Sequence, residues 1–144
     1  MQLTTAMLAD GAHVAGGKLY ILGGQWDRVG GVVFPLQHPS MAVVLVIKVD
    51  YDEALTQHRL NVALMLDGEP VGPSATGEMA TGHAPGQARG APGFVSVALP
   101  FNNVTFEAPG RYEWVVTVDD EPIGQLPIEV VRVNLPGYPS TAPH

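Results

Sequence analysis

The residues with most chemical potential are carboxylates. Asp50, Asp52 and Glu53 fall in one short stretch, and Asp119, Asp120 and Glu121 are consecutive. Both runs stand where apolar alternation stops, so both are expected in loops between strands. Loops meeting at one end of a sandwich would let Asp50, Asp52, Asp119 and Asp120 offer hard oxygen ligands to calcium, which takes several converging oxygens. The plainer reading is a pair of solvated hairpin ends whose charges keep sheet edges from pairing. The histidines at 13, 38, 58, 83 and 144 show no His-X3-His spacing, so they do not spell a zinc site. His58 abuts a predicted strand and is read as a core or interface residue. The serines at 40, 74, 96 and 140 lie in no Gly-X-Ser-X-Gly elbow. The glycine pairs 16–17, 23–24 and 30–31 precede no predicted helix, so they read as turns and bulges rather than a phosphate cradle. An enzyme is therefore not expected, and neither is a cofactor.

Two further groups of residues are read as partner contacts. Trp26 and Arg28 follow a strand end, and both residue types are favoured at the energetic centres of interfaces. Trp26 also fits as a core plug. Leu135 and Tyr138 lie in a Pro-rich stretch, Leu-Pro-Gly-Tyr-Pro, whose extended character suits docking on a neighbour.

The elements that position these residues are strands. Leu3, Thr5, Met7 and Ala9 alternate, Asp10-Gly11 and Gly16-Gly17 signal turns, and Lys18–Leu22 returns as an opening hairpin. Met41–Val49 is β-branched and apolar on both faces until Lys48, which marks a central, buried strand. One helical turn is allowed at 51–57, and Arg59–Leu66 alternates as a strand closed by Asp67-Gly68. From 72 to 93 the chain is dominated by Gly, Pro, Ala, Ser and Thr. It reads as a long flexible loop, with too little apolar area to offset its ordering entropy. Strands resume at Phe94–Leu99, Tyr112–Val118 and Leu126–Val133, where Pro127 signals an edge or a bulge. The expected architecture is all-β: an antiparallel β-sandwich, immunoglobulin-like or C2-like, of about seven to nine strands. A single domain is expected over 1–133, followed by an extended tail at 134–144.

Composition narrows the function classes. There is no Cys, so thiol chemistry and a disulfide framework are excluded. The 7 basic residues against 14 acidic ones give a net charge of −7, which opposes nucleic acid and anionic membranes. No apolar run is long enough to cross a bilayer, and the first residues lack the basic region of a signal peptide. A soluble protein is expected, cytoplasmic or assembled on a larger shell.

Several stretches resemble an uncharacterised family of small bacterial proteins common in actinobacteria. They are Leu8-Ala9-Asp10, the run Gly17–Trp26, Asp52-Glu53-Ala54 with His58-Arg59-Leu60, and Pro109–Trp114. The resemblance implies a β-sandwich and carries over no catalytic residue. Pro109-Gly110-Arg111-Tyr112 also resembles the entry to a late strand of immunoglobulin-like domains, where a Tyr bonds back to the backbone. The function expected is a non-catalytic interaction or assembly module with a protein partner or self-assembly, such as a decoration protein of a phage virion. The competing expectation is a calcium- or small-ligand-binding domain using the acidic loops.

Overall fold

A computed structural model describes residues 1–134. Nine strands run in the order β1 (Gln2–Ala15), β2 (Lys18–Trp26), β3 (Arg28–Gly31), β4 (Leu36–Val49), β5 (His58–Leu66), β6 (Glu69–Met79), β7 (Gly93–Phe106), β8 (Gly110–Val118) and β9 (Glu121–Arg132), with a 3-10 turn at Tyr51–Glu53. They form two packed sheets, β2-β1-β4-β7 and β3-β9-β8-β5-β6. Between β4 and β9 the chain changes sheets as strands B, C, C′, E, F and G of an immunoglobulin domain do. One pair departs from the expected antiparallel pattern. β3 runs parallel to β9, because it crosses from the first sheet and lies beside the last strand in the same direction.

The core lies between the sheets. Leu45 and Ile47 of β4, Val62 and Leu64 of β5, and Trp114 of β8 are fully buried there. Trp114 stacks at a tilt on Phe101, with ring centroids 4.4 Å apart. Its indole N–H is buried without an acceptor. That costs about 1–3 kcal/mol, less than the roughly 4–6 kcal/mol gained by burying a Trp-sized apolar surface.

β4 is apolar on both faces, and each face is covered by a different element. Val43, Leu45 and Ile47 point into the sandwich, whereas Ala42 and Val44 join Ala9 in a second cluster on the other side of the sheet. Met7, Ala12 and Leu19 pack on that second cluster. The last two come from the β1–β2 ribbon, in which β1 beyond Ala9 pairs with β2 alone. β2 approaches β7, three strands away in the sheet order, so the ribbon curls across the outer face of its own sheet. Asp10-Gly11, expected as a turn, is therefore mid-strand, and the reversal falls at Gly16-Gly17 with φ 57° and 74°. The bend is made opposite Asp10, at Gly23 with φ 59° and at Gly24, where a Cβ would stand 2.9 Å from Ile21 Cγ2.

The segment expected as a loop from 72 to 93 is shorter. β6 takes its first part, pairing with β5 from Glu69 to Met79. β6 is exposed along almost its whole length, so it is ordered by the backbone ladder rather than by apolar burial, and composition could not reveal it. The remainder is anchored to the 3-10 turn. Leu55 N donates to Thr81 O at 2.8 Å, and the His83 ring stacks on Tyr51 at 3.8 Å. Pro127 lies where β9 has β8 on one side only, because β3 starts pairing at Glu129.

The corner before β8 is closed by Tyr112, whose hydroxyl donates to Ala108 O at 2.7 Å. Tyr112→Phe removes this bond and strands a carbonyl. The expected loss is about 1–1.5 kcal/mol of unfolding free energy with an unchanged urea m-value. A loss below about 0.3 kcal/mol would show that the corner is held by packing alone.

Candidate functional site

The two acidic runs do meet, at the end of the sandwich where β5 begins and β8 turns into β9. Their meeting point is His58. Its Nδ1 lies 2.6 Å from Asp119 Oδ2, and its Nε2 lies 2.7 Å from Glu53 O. A carbonyl only accepts, so Nε2 carries a proton, and the short contact to the carboxylate is made by a protonated Nδ1. This arrangement suits the protonated ring, and both nitrogens are engaged in it, which leaves no free lone pair to serve as a general base. Its pKa is accordingly raised, first by the Asp119 hydrogen bond and then by the Glu53 carbonyl, against a smaller opposing effect of burial.

The carboxylates are committed to the same network. Asp119 Oδ1 accepts from Arg59 N at 2.9 Å. The His58 bond first, then the Arg59 amide, hold the Asp119 pKa down. Glu53 Oε1 accepts from Asp50 N at 3.0 Å, and Oε2 accepts from the Met1 ammonium at 3.0 Å. The Asp50 amide is the larger cause of the lowered Glu53 pKa. Asp50, Asp52 and Asp120 are exposed. Among the described residues no three His, Asp or Glu side chains converge in a way that would hold a metal ion. The calcium expectation thus finds its two loops adjacent, with Asp119 turned to His58 and a backbone amide and with Asp50, Asp52 and Asp120 exposed.

Two predictions follow from this geometry. Millimolar calcium, about 5 mM, is expected to leave the melting temperature unchanged within about 0.5 °C. A clear rise that Asp120→Asn abolishes would restore the metal reading. The second concerns pH. The raised pKa of His58 gives stability that is complete below its ordinary value of about 6.5 and is lost as pH rises through the folded value. The lowered pKa of Asp119 gives stability present above about 3.9 and lost as pH falls through its own folded value. The pair therefore stabilises most between those ordinary values. Thermal melts from about pH 5 to 9 should show an alkaline decline in the wild type that His58→Ala and Asp119→Asn flatten. Parallel profiles for all three proteins would contradict the linkage.

The residues read as partner contacts are placed apart. Trp26 sits opposite Leu8 and packs against the main core, tilted on His38 with centroids 5.6 Å apart. Its indole N–H is buried without a partner. Arg28 is mostly exposed, with a guanidinium nitrogen 3.8 Å from Glu129 Oε1. Trp26 and Arg28 share the wall of an open cleft of about 310 Å³ with Asp10, Val29, Gly30 and His38. Leu135 and Tyr138 lie outside the described residues.

Sequence reasoning missed an exposed apolar surface on the ribbon. Leu22 is 76 % exposed and Tyr20 49 %, with Val14 and Ile21 partly exposed. His13 stacks flat on Tyr20 across the two strands, at 5.0 Å and 9°. The available signal was the run Leu19-Tyr20-Ile21-Leu22, apolar at consecutive positions where a half-buried strand would alternate.

The strand order, the tyrosine corner and the sandwiched core define an immunoglobulin-type β-sandwich domain. The chain belongs to the Family of unknown function (DUF6941), whose model matches residues 4–131. No curated protein matches it.

Proposed function

We propose that the protein is a non-catalytic interaction or assembly module that makes its contact through the β1–β2 ribbon. The observation that carries this reading is the apolar surface of Tyr20, Ile21 and Leu22 left uncovered on an element that extends beyond β4's ladder. A surface of large apolar and aromatic side chains held rigid by a scaffold marks a protein contact more often than a ligand pocket. His58, the residue nearest to a catalytic arrangement, is tied at both nitrogens, which fits a structural role better than turnover. Attachment to a larger shell, a phage virion included, is the assembly form of the same reading.

Lys18 supplies a handle for the test, being the only amine in the ribbon. An amine-reactive cross-linker applied to the full chain in an extract of its source is expected to join Lys18 to one discrete polypeptide. Leu22→Asp should reduce that product by about tenfold or more. Lys18 modified only by hydrolysed cross-linker, with no joined polypeptide, would remove the ribbon as a contact surface.

A further inference from the structure

The sandwich has four edge strands, and they are not equally defended against pairing. β3 is four residues long. β6 carries Pro70 and Pro73 with Glu69 and Glu78. β7 is interrupted by Pro100 and by Asn103, which sits at φ 54°. Shortness, proline, charge and irregular backbone are the devices by which natural sheets blunt their edges. Along Lys18–Leu22 β2 has only Lys18 among them, at its first position, and its pairing with β1 is regular. Its positive-φ positions, Gly23 and Gln25, come only after that run. Among the described residues nothing pairs with the free side of this segment, a row of backbone donors and acceptors flanked by exposed Tyr20 and Leu22.

The charge pattern selects the occupant. The chain carries a net charge of −7, so two copies repel each other through most of their surfaces. From Gly11 to Trp26 there is no carboxylate, and Lys18 is the only formal charge. The ribbon is one of several carboxylate-free stretches, 28–49 and 79–106 among the others, and like copies meet there with little repulsion. An antiparallel strand edge is also complementary to itself across a two-fold axis, so no second sequence is needed to satisfy it.

Resting on the ribbon as the contact surface, we propose that the partner is a second copy of this chain. The two β2 strands pair antiparallel over Lys18–Leu22 about a two-fold axis at Tyr20, which joins the two first sheets into one continuous sheet. Lys18 of each copy then faces Leu22 of the other, and its ammonium reaches past it to solvent.

Sedimentation equilibrium of the full chain is the test, with a mass of twice 15.2 kDa expected at high concentration. Placing Lys at both Tyr20 and Leu22 sets like charges across the axis, and should weaken the dimer by about 100-fold or more. Both side chains are exposed, so the melting temperature of the dissociated variant should match that of the dissociated wild type. The chain has no Cys, so Tyr20→Cys places one thiol per copy. Opposed Cα atoms about 4.5–5.5 Å apart across the axis are within disulfide reach. Mild oxidation should convert that variant to a covalent dimer, and Glu69→Cys on β6 should remain monomeric. A wild type that stays monomeric to about 1 mM overturns the proposal, and so does a dimer indifferent to the double Lys substitution. A monomer whose Lys18 still cross-links to a different polypeptide keeps the ribbon as an interface and rejects only the second copy.

Discussion

The constraint on which the structure depends is that β4 is apolar on both faces. A strand that carries Leu45 and Ile47 toward one side and Ala42 and Val44 toward the other cannot leave either side in water. The inner side is met by the second sheet, as in any sandwich. The outer side needs a cover of its own, and the chain provides it by extending β1 past the end of its ladder with β4 and curling the β1–β2 ribbon back over the sheet. Gly23 and Gly24 follow from that demand, since a ribbon bending this sharply brings Asp10, Ile21 and Met7 into the space a Cβ would take. A two-stranded ribbon alone is marginal in water, and Ala12 and Leu19, seated on Ala9, Ala42 and Val44, anchor this one.

The same logic of local need explains the His58 end. Three hairpins close on two-residue turns with both central residues at positive φ: Gly16-Gly17, Asp67-Gly68 and Asp119-Asp120. Such turns match the twist of the strands and are normally built with Gly or Asn. Asp119-Asp120 contains no Gly and bears the steric cost of two left-handed side chains. What offsets that cost is the work Asp119 does from this position, accepting from both Arg59 N and His58. The charged pair then ties β5, the β8–β9 turn and, through the Glu53 carbonyl, the 3-10 turn into one unit. The loop that follows β6 is held through that unit as well, because His83 stacks on Tyr51 in the 3-10 turn.

What could be read from the sequence was whatever is encoded in periodicity and turn chemistry. The alternation of Tyr112, Trp114, Val116 and Val118 gives β8, and all four are buried. The double-faced run at Met41–Val49 gives a central strand, and β4 lies between β1 and β7. The Tyr112 corner was legible from Pro109-Gly110-Arg111-Tyr112 by its likeness to immunoglobulin-like domains. Three things were not legible. β6 has no apolar face to betray it, and β3 is too short for a period to register. The ribbon's bend depends on which strand lies beneath it, a tertiary fact that local pattern does not contain. The acidic loops do come together, at His58, a meeting the sequence leaves open. Only geometry reveals that His58, the Met1 ammonium and backbone amides occupy Asp119 and Glu53.

Covering an apolar face with a two-stranded ribbon does not abolish exposure; it relocates it. A ribbon has two faces, and one of them must turn outward once the other is spent on Ala42 and Val44. Had the outer face carried carboxylates, the demand created by β4 would end there. Instead it carries Tyr20 and Leu22, with no carboxylate between Asp10 and Asp27 in a chain of net charge −7. Folding alone does not require that choice, since exposed positions of a ribbon accept polar residues at little cost to the fold. The carboxylate-free, apolar strip on β2 is therefore the feature on which the proposed contact rests, and the side chains that form it, Tyr20 and Leu22, are separable from those that make the protein fold.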